Sequence, residues 1–138
     1  METTTSTTAP TTNVLTLRNV LLIDAALTGA NGLAYVAGAA VLDTLLGPSP
    51  AVLVGLGVFM LAYATVAAVL GTRRPVSRLG VGLIADGNIA WALASLAVVG
   101  FGWLGLTTAG TVWTLIQAAL VVGFAVLQMT ALRRTASA

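Results

Sequence analysis

Two aspartates inside long apolar segments are the residues of this chain with the clearest chemical potential. Asp24 lies in the sequence LLIDAA and Asp86 in the sequence LIADGN. Because a carboxylate at the centre of a membrane-spanning helix costs roughly 2.5–3.5 kcal/mol on insertion scales, each one needs a compensating partner. Two such carboxylates together can form a proton or cation site, since burial and like-charge repulsion favour protonation of one of them. The structural alternative is an ion pair with an arginine at a neighbouring helix end, for example Arg74 or Arg134.

Polar residues follow Asp24 at helical spacing. Thr28, Asn31 and Tyr35 stand at i+4, i+7 and i+11 from Asp24, so on a helix all four side chains project from one face. This polar stripe covers about 16 Å of helix. It is either a route toward Asp24 or a set of ordinary cross-helix hydrogen bonds, which contribute about 0.6 kcal/mol each and need no substrate.

Later apolar segments carry polar residues that can meet this stripe. Thr114, Gln117 and Gln128 share one helical face at i, i+3 and i+14, and we expect Gln117 and Gln128 to face the polar stripe in the protein interior. Asp86 and Asn88, in contrast, point to nearly opposite sides of one helix. Asp86 therefore joins Asn88 in one site only if that helix is distorted.

Missing residue types exclude several kinds of chemistry. The chain contains no cysteine and no histidine. Structural zinc, iron–sulfur clusters, His-ligated haem and nucleophiles activated by histidine are therefore excluded, and we predict a protein that is not an enzyme and has no metal or cofactor. The six basic residues give a net charge of only +2, which is too little positive charge to predict a nucleic-acid partner.

The overall composition is typical of a membrane protein. Hydrophobic residues make up 58% of the 138 residues and charged residues only 7%, whereas a soluble domain carries roughly 25% charged residues. So few charges cannot cover a water-exposed surface, and we predict that the lipid bilayer surrounds the protein.

Four long apolar segments organise the chain. At about 1.5 Å per residue, each is long enough to cross the roughly 30 Å hydrocarbon core of a bilayer. We predict an all-α fold, a four-helix transmembrane bundle made of two antiparallel hairpins, over residues 17–134. A disordered Thr-rich tail, 1–16, precedes it and a short tail, 135–138, follows it. The predicted helices cover 17–46, 51–71, 77–104 and 111–132.

The arginines predict the orientation of the bundle. All six precede the first helix, follow the last helix or lie between the second and third: Arg18, Arg73, Arg74, Arg78, Arg133 and Arg134. The positive-inside rule then places both termini and both tails in the cytoplasm of a multi-pass protein. The exclusive use of arginine over lysine, with abundant Ala, Gly and Val, favours a bacterial plasma membrane.

A weak internal repeat relates the two halves of the chain. Superposing the first two helices on the last two matches Asp24 with Asp86 and Gly38 with Gly100. Such a parallel two-plus-two repeat is known in transporters. The alternative is that any two hairpins of the same orientation share arginines at their cytoplasmic ends.

Short motifs spread along residues 17–134 carry a resemblance to a known group of proteins. They are Leu17-Arg18-Asn19, Asp24-Ala25, Arg74-Pro75, Trp91 with Ser95, Thr108-x-Gly110, Gln117-Ala118, Phe124-Ala125-x-Leu127-Gln128 and Leu132-Arg133-Arg134. With these motifs the chain resembles uncharacterised four-helix integral membrane proteins of actinobacteria and other bacteria. The resemblance implies a four-helix fold in a bacterial inner membrane and brings no activity with it.

Small residues at four-residue spacing are plentiful, while reactive groups are few. Ala26, Ala30, Ala34 and Gly38 form such a ladder, which allows helices to approach closely. We therefore predict a non-enzymatic membrane protein that acts through helix–helix contacts, as a homo-oligomer or as an accessory or scaffold subunit of a larger membrane-protein partner. The alternative is a small proton- or cation-coupled transporter that uses Asp24 and Asp86.

Overall fold

The computed structural model describes residues 16–73 and 75–137. The predicted disordered tail, apart from Thr16, and the predicted pairing with Arg74 lie outside these residues. Every regular element in the described ranges is helical, which confirms the all-α class. The described residues form five α-helices: α1 (Leu17–Ala37), α2 (Ala39–Leu46), α3 (Pro50–Thr72), α4 (Arg78–Phe101) and α5 (Thr108–Ser137). A 3-10 turn at Trp103–Gly105 lies between α4 and α5.

Four of these helices, α1, α3, α4 and α5, are long and apolar enough to cross a membrane. Large apolar side chains cover their outer faces; Leu79, for example, is 75% exposed and Leu93 is 63% exposed. Such a surface is unfavourable in water and suited to lipid, so the prediction of a multi-pass membrane protein is confirmed.

The first apolar segment forms two helices, and the prediction of one helix over residues 17–46 was wrong. α1 ends at Ala37 and α2 begins at Ala39, because Gly38 adopts φ −103° and ψ 11° between them. A glycine in the middle of a long helix is a common site of such a break, since it stabilises the helix less than alanine does. α2 ends at Leu46 and is followed by Gly47, whose φ of 111° favours glycine.

Helix ends are set by hydroxyl caps and by glycine. Each membrane-spanning helix begins after a Ser or Thr whose side-chain oxygen accepts a backbone N–H bond: Thr16, Ser49, Ser77 and Thr107. Because Thr107 caps it, α5 begins at Thr108 and not at the predicted position 111, and it continues past the predicted end at 132. α4 stops at Phe101, short of the predicted position 104, because Gly102 takes the left-handed conformation.

The four long helices form two tightly packed pairs. α1 lies along α3 and α4 lies along α5, with fewer contacts between the two pairs. In the first pair the backbones meet at Gly32 and Gly57, where an added Cβ atom at either position would lie within 2.8 Å of the opposite backbone. The predicted ladder of Ala26, Ala30 and Ala34 takes no part in this contact, since all three residues are exposed and Ala30 and Ala34 line a cavity.

The apolar core consists of two clusters, one near each end of the bundle. The cluster near the arginines includes Leu21, Val81 and Ile84, and the other includes Leu46 and Leu53. Five polar side chains of the described residues are buried as well: Asp24, Asn88, Ser95, Gln117 and Gln128.

Candidate functional site

Asp24 is a fully buried carboxylate that accepts three hydrogen bonds. Its side chain is 1% exposed. The Thr28 hydroxyl donates to Oδ1 at 3.0 Å, and the amide nitrogens of Asn88 and Gln128 donate to Oδ2 at 2.8 and 2.7 Å. The donors come from α1, α4 and α5, so the carboxylate joins the two helix pairs.

Helical geometry explains why these donors reach one carboxylate. Thr28 lies one turn beyond Asp24 on α1, on the same face. Asn88 and Gln128 are both buried, and the Asn88 amide also donates to the Gln128 carbonyl oxygen at 3.2 Å. Their N–H groups thus have acceptors within the cluster, which satisfies polar groups that would otherwise be costly to bury.

The negative charge of Asp24 has no ionic partner among the described residues. Its three hydrogen bonds come from neutral groups, and Arg134, one of the two arginines predicted to pair with it, makes no ion pair with it. Among the described residues this buried carboxylate is therefore held by neutral donors alone.

A central cavity of about 350 Å³ adjoins Asp24, between α1, α3, α4 and α5, and it is open at the protein surface, where Leu27, Phe59 and Leu120 line it and are each 53% exposed. Thr28 and Asn88 line this cavity and also bond to Asp24, so the cavity is one hydrogen-bonded residue away from the carboxylate. Its lining further includes the amides of Asn31 and Gln117. The Asn31 side chain is half-buried and makes no hydrogen bond within the described residues.

Aromatic side chains form much of the remaining cavity wall. Phe59 of α3 stacks on Trp91 of α4, with ring centroids 5.7 Å apart and planes 4° from parallel. One turn away, the Tyr63 hydroxyl donates to the Ile84 carbonyl oxygen, again joining α3 to α4. These contacts line the cavity with ring surfaces on the side of α3 and α4.

Tyr35 forms a second polar cluster at the far end of the cavity from Asp24. Its hydroxyl oxygen accepts hydrogen bonds from Trp113 Nε1 and Gln117 Nε2, both at 2.9 Å. A smaller cavity of about 120 Å³ lies on the other side, and Trp91, Trp113 and Gln117 line both cavities. The smaller cavity is bounded by Pro48, near the turn that follows α2. The Tyr35 cluster is therefore the wall between the two cavities.

Asp86 lies apart from this site. Its side chain is exposed on the outer face of α4, beside Gly82, where an added Cβ atom would meet nothing within 4 Å. A site with two carboxylates in one chain, as the sequence predicted, is therefore not formed. Of the other predicted site residues, Thr28 and Gln128 contact Asp24, Asn31 and Gln117 line the larger cavity, and Tyr35 lines the smaller one.

Sequence reasoning missed Asn88 and Trp113 as members of the site. Asn88 could have been found from its position in an apolar helix, on the face opposite Asp86. Because the two side chains point in opposite directions, only one of them can face the interior. For Trp113, whose ring nitrogen bonds to Tyr35, the sequence contains no comparable signal.

The donor set limits the chemistry of the site. In the described residues no group of three or more Asp, Glu, His or Cys side chains lies close enough together to hold a metal ion. One carboxylate with amide and hydroxyl neighbours can bind a proton or a monovalent cation.

We compared the chain with protein-family models, curated proteins and solved structures, and none of them matches it. The resemblance to four-helix bacterial membrane proteins stays a prediction.

Proposed function

We propose that this protein is a small proton-coupled membrane transporter in which Asp24 takes up and releases a proton and the central cavity holds the solute. The observation that carries the proposal is the connection between them. A buried carboxylate without an ionic partner among the described residues is bonded to Thr28 and Asn88, and both of these line the cavity. Ionisable residues buried within membrane bundles are characteristic of proton relays in pumps and transporters.

The hydrogen bonds at Asp24 favour Oδ1 as the oxygen that receives the proton. Oδ2 accepts from two amide N–H groups, of Asn88 and Gln128, which can only donate. Oδ1 accepts from the Thr28 hydroxyl alone, and a hydroxyl can rotate to accept instead. A proton on Oδ1 is therefore compatible with the cluster, and the Thr28 hydroxyl is the group that passes it between the cavity and the carboxylate.

The same geometry makes asparagine a suitable test residue at position 24. Its carbonyl oxygen can take the place of Oδ2 and accept from Asn88 and Gln128, while its amide nitrogen donates to the Thr28 hydroxyl oxygen. Asp24→Asn therefore keeps the cluster bonded and removes the titratable group. Asp86→Asn is the matched control, because it makes the same change on the outer face of α4.

The test is a pH jump applied to proteoliposomes on a supported membrane, which needs no knowledge of the solute. We expect a transient current from proton binding in the wild type, loss of that current in Asp24→Asn, and an unchanged current in Asp86→Asn. A full current in Asp24→Asn, or none in the wild type, would overturn the proposal. A current caused by a sodium jump at constant pH would instead assign the site to a metal cation.

We place this transporter in the plasma membrane of a bacterium, with the arginine-bearing helix ends in the cytoplasm. The support is the distribution of the arginines, all of which lie in the first turn of α1, just after α3, at the start of α4 or in the last turns of α5. In that orientation Asp24 lies on the cytoplasmic side of the cavity and Tyr35 on the outer side.

A second candidate function, action through helix–helix contacts, is favoured by Asp86. An exposed carboxylate more than one turn inside an apolar helix is unfavourable against lipid. A second copy of the chain, or a larger membrane protein, that covers this face of α4 would remove that cost, and Gly82 leaves room for its close approach.

A further inference from the structure

We infer that the transported solute is a monovalent organic ammonium ion with an apolar body, bound in the central cavity between ring faces and the charge of Asp24. This inference rests on the proposed function and names the substrate class for the same site. Its first support is the lining of the cavity. Five of the eight aromatic residues of the chain line it, namely Phe59, Tyr63, Trp91, Trp113 and Phe124.

Aromatic rings favour a cation over a neutral or anionic solute. The face of a ring carries a negative quadrupole that attracts a cation within about 6 Å of its centre, and cages of such rings are a recurrent means of binding quaternary ammonium groups. Trp, the ring with the strongest attraction, is present twice in this cavity, as Trp91 and Trp113. No arginine or lysine lies among the residues that line it.

The charge of Asp24 acts in the same direction. Thr28 and Asn88 stand between the carboxylate and the cavity, and each makes one hydrogen bond to it. At a given distance, two opposite charges attract each other more strongly inside a protein than in water, because the effective dielectric constant is lower. A cation in the cavity therefore stabilises the ionised form of Asp24, and proton release accompanies its binding. Exchange of one ammonium ion for one proton across the membrane moves no net charge.

Two amides provide acceptors for the N–H groups that some ammonium ions carry. Gln117 donates its amide N–H to Tyr35, while its carbonyl oxygen has no hydrogen-bond donor among the described residues. The Asn31 amide is also without a hydrogen bond there and lines the same cavity. The volume of about 350 Å³ suits a solute with one ring or a short branched chain.

The experiment measures binding of benzyltrimethylammonium to the full chain in lipid nanodiscs by calorimetry, with empty nanodiscs subtracted. We expect saturable binding that releases up to one proton per ligand in weakly buffered solution. Asp24→Asn should weaken it by at least about tenfold, since a loss of 1.4 kcal/mol corresponds to that factor, while Asp86→Asn should bind as the wild type does. Neutral benzyl alcohol at the same concentration should not compete.

A pair of variants tests the role of the rings. Trp113→Phe keeps an aromatic face but loses the second ring of the indole and the bond to Tyr35, whereas Trp113→Leu removes the aromatic face altogether. We expect Trp113→Leu to bind about tenfold more weakly than Trp113→Phe, with both variants retaining the helix content of the wild type. Equal affinities in these two, or in Asp24→Asn and the wild type, would overturn the inference. A pH-jump current without ammonium binding would refute the substrate class alone, and ammonium binding without that current would refute the proton coupling.

Discussion

Replacement of Gly57 by alanine should force α1 and α3 apart where they approach most closely. A Cβ atom at position 57 would lie 2.7 Å from the Gly32 carbonyl oxygen, 2.7 Å from Val36 Cγ2 and 2.9 Å from Tyr35 Cβ. The carbonyl oxygen and the Tyr35 Cβ atom are fixed by the backbone, so side-chain rotation cannot relieve the contact. Ordinary contact begins at 3.4 Å, so the 2.7 Å separation must grow by about 0.7 Å.

The expected cost follows from this displacement and from a matched control on the same helix. Overpacking of this kind typically costs about 1–3 kcal/mol. Alanine also stabilises a helix relative to glycine, by up to about 1 kcal/mol in water. Gly55→Ala measures this helix stabilisation without overpacking, because nothing lies within 4 Å of its added Cβ atom. Gly57→Ala should therefore be less stable than Gly55→Ala by about 1–3 kcal/mol.

The assay is reversible unfolding in mixed lipid–detergent micelles with increasing dodecyl sulfate, followed by far-ultraviolet circular dichroism. Wild type, Gly55→Ala and Gly57→Ala are compared in the same micelles, so that the unfolded reference is shared. Equal unfolding free energies for the two alanine variants would refute the close packing of α1 on α3 described here, and with it the position of Tyr35 at the wall between the cavities.

Two further pairs of variants test the relay and the second candidate function. Thr28→Val removes the hydroxyl at nearly constant volume and should slow the pH-jump current at least about tenfold, whereas Thr28→Ser should keep it; equal currents would exclude Thr28 as the relay. A cysteine that carries a photoreactive crosslinker is placed in this cysteine-free chain at Gly82, beside Asp86, or at Gly55 as a control. If the outer face of α4 binds a protein, Gly82→Cys should give an adduct of defined mass in native membranes that Gly55→Cys does not give, and its mass distinguishes a second copy from a larger protein. The same adducts from both would contradict a specific contact there.

The number and approximate limits of the membrane-spanning helices could be predicted from hydropathy, because a run of about 20 apolar residues has few stable alternatives to a spanning helix. The break at Gly38 could not. Many glycines lie inside helices of this chain without interrupting them, Gly55 and Gly82 among them. Whether a glycine breaks a helix depends on tertiary contacts, which a single sequence does not specify.

Contacts of the site between residues of one helix could be predicted from the sequence, whereas contacts between different helices were much harder to predict. Fixed rotation per residue places Asp24 and Thr28 on one face of α1 without any knowledge of the fold. On α4 the same rule separates Asp86 from Asn88 by about 200°, so only one of them can face the interior. The rule cannot say which one. That choice depends on how α4 rotates against α1 and α5, and the structure turns Asn88 inward to bond with Asp24.

The placement of the polar bonds gives the chain a means of coupling protonation to movement. α1 packs tightly on α3 and α4 on α5, while contacts between these pairs are fewer. Among the described residues, side-chain bonds from α1 to the other pair include those of the two polar clusters, at Asp24 near one end of the cavity and at Tyr35 near the other. Protonation of Asp24 removes the charge that strengthens the bonds from Asn88 and Gln128, and so weakens one of these two connections while leaving the other intact. A change at one carboxylate can therefore shift the two helix pairs relative to each other around the cavity, as rigid-body rocking requires.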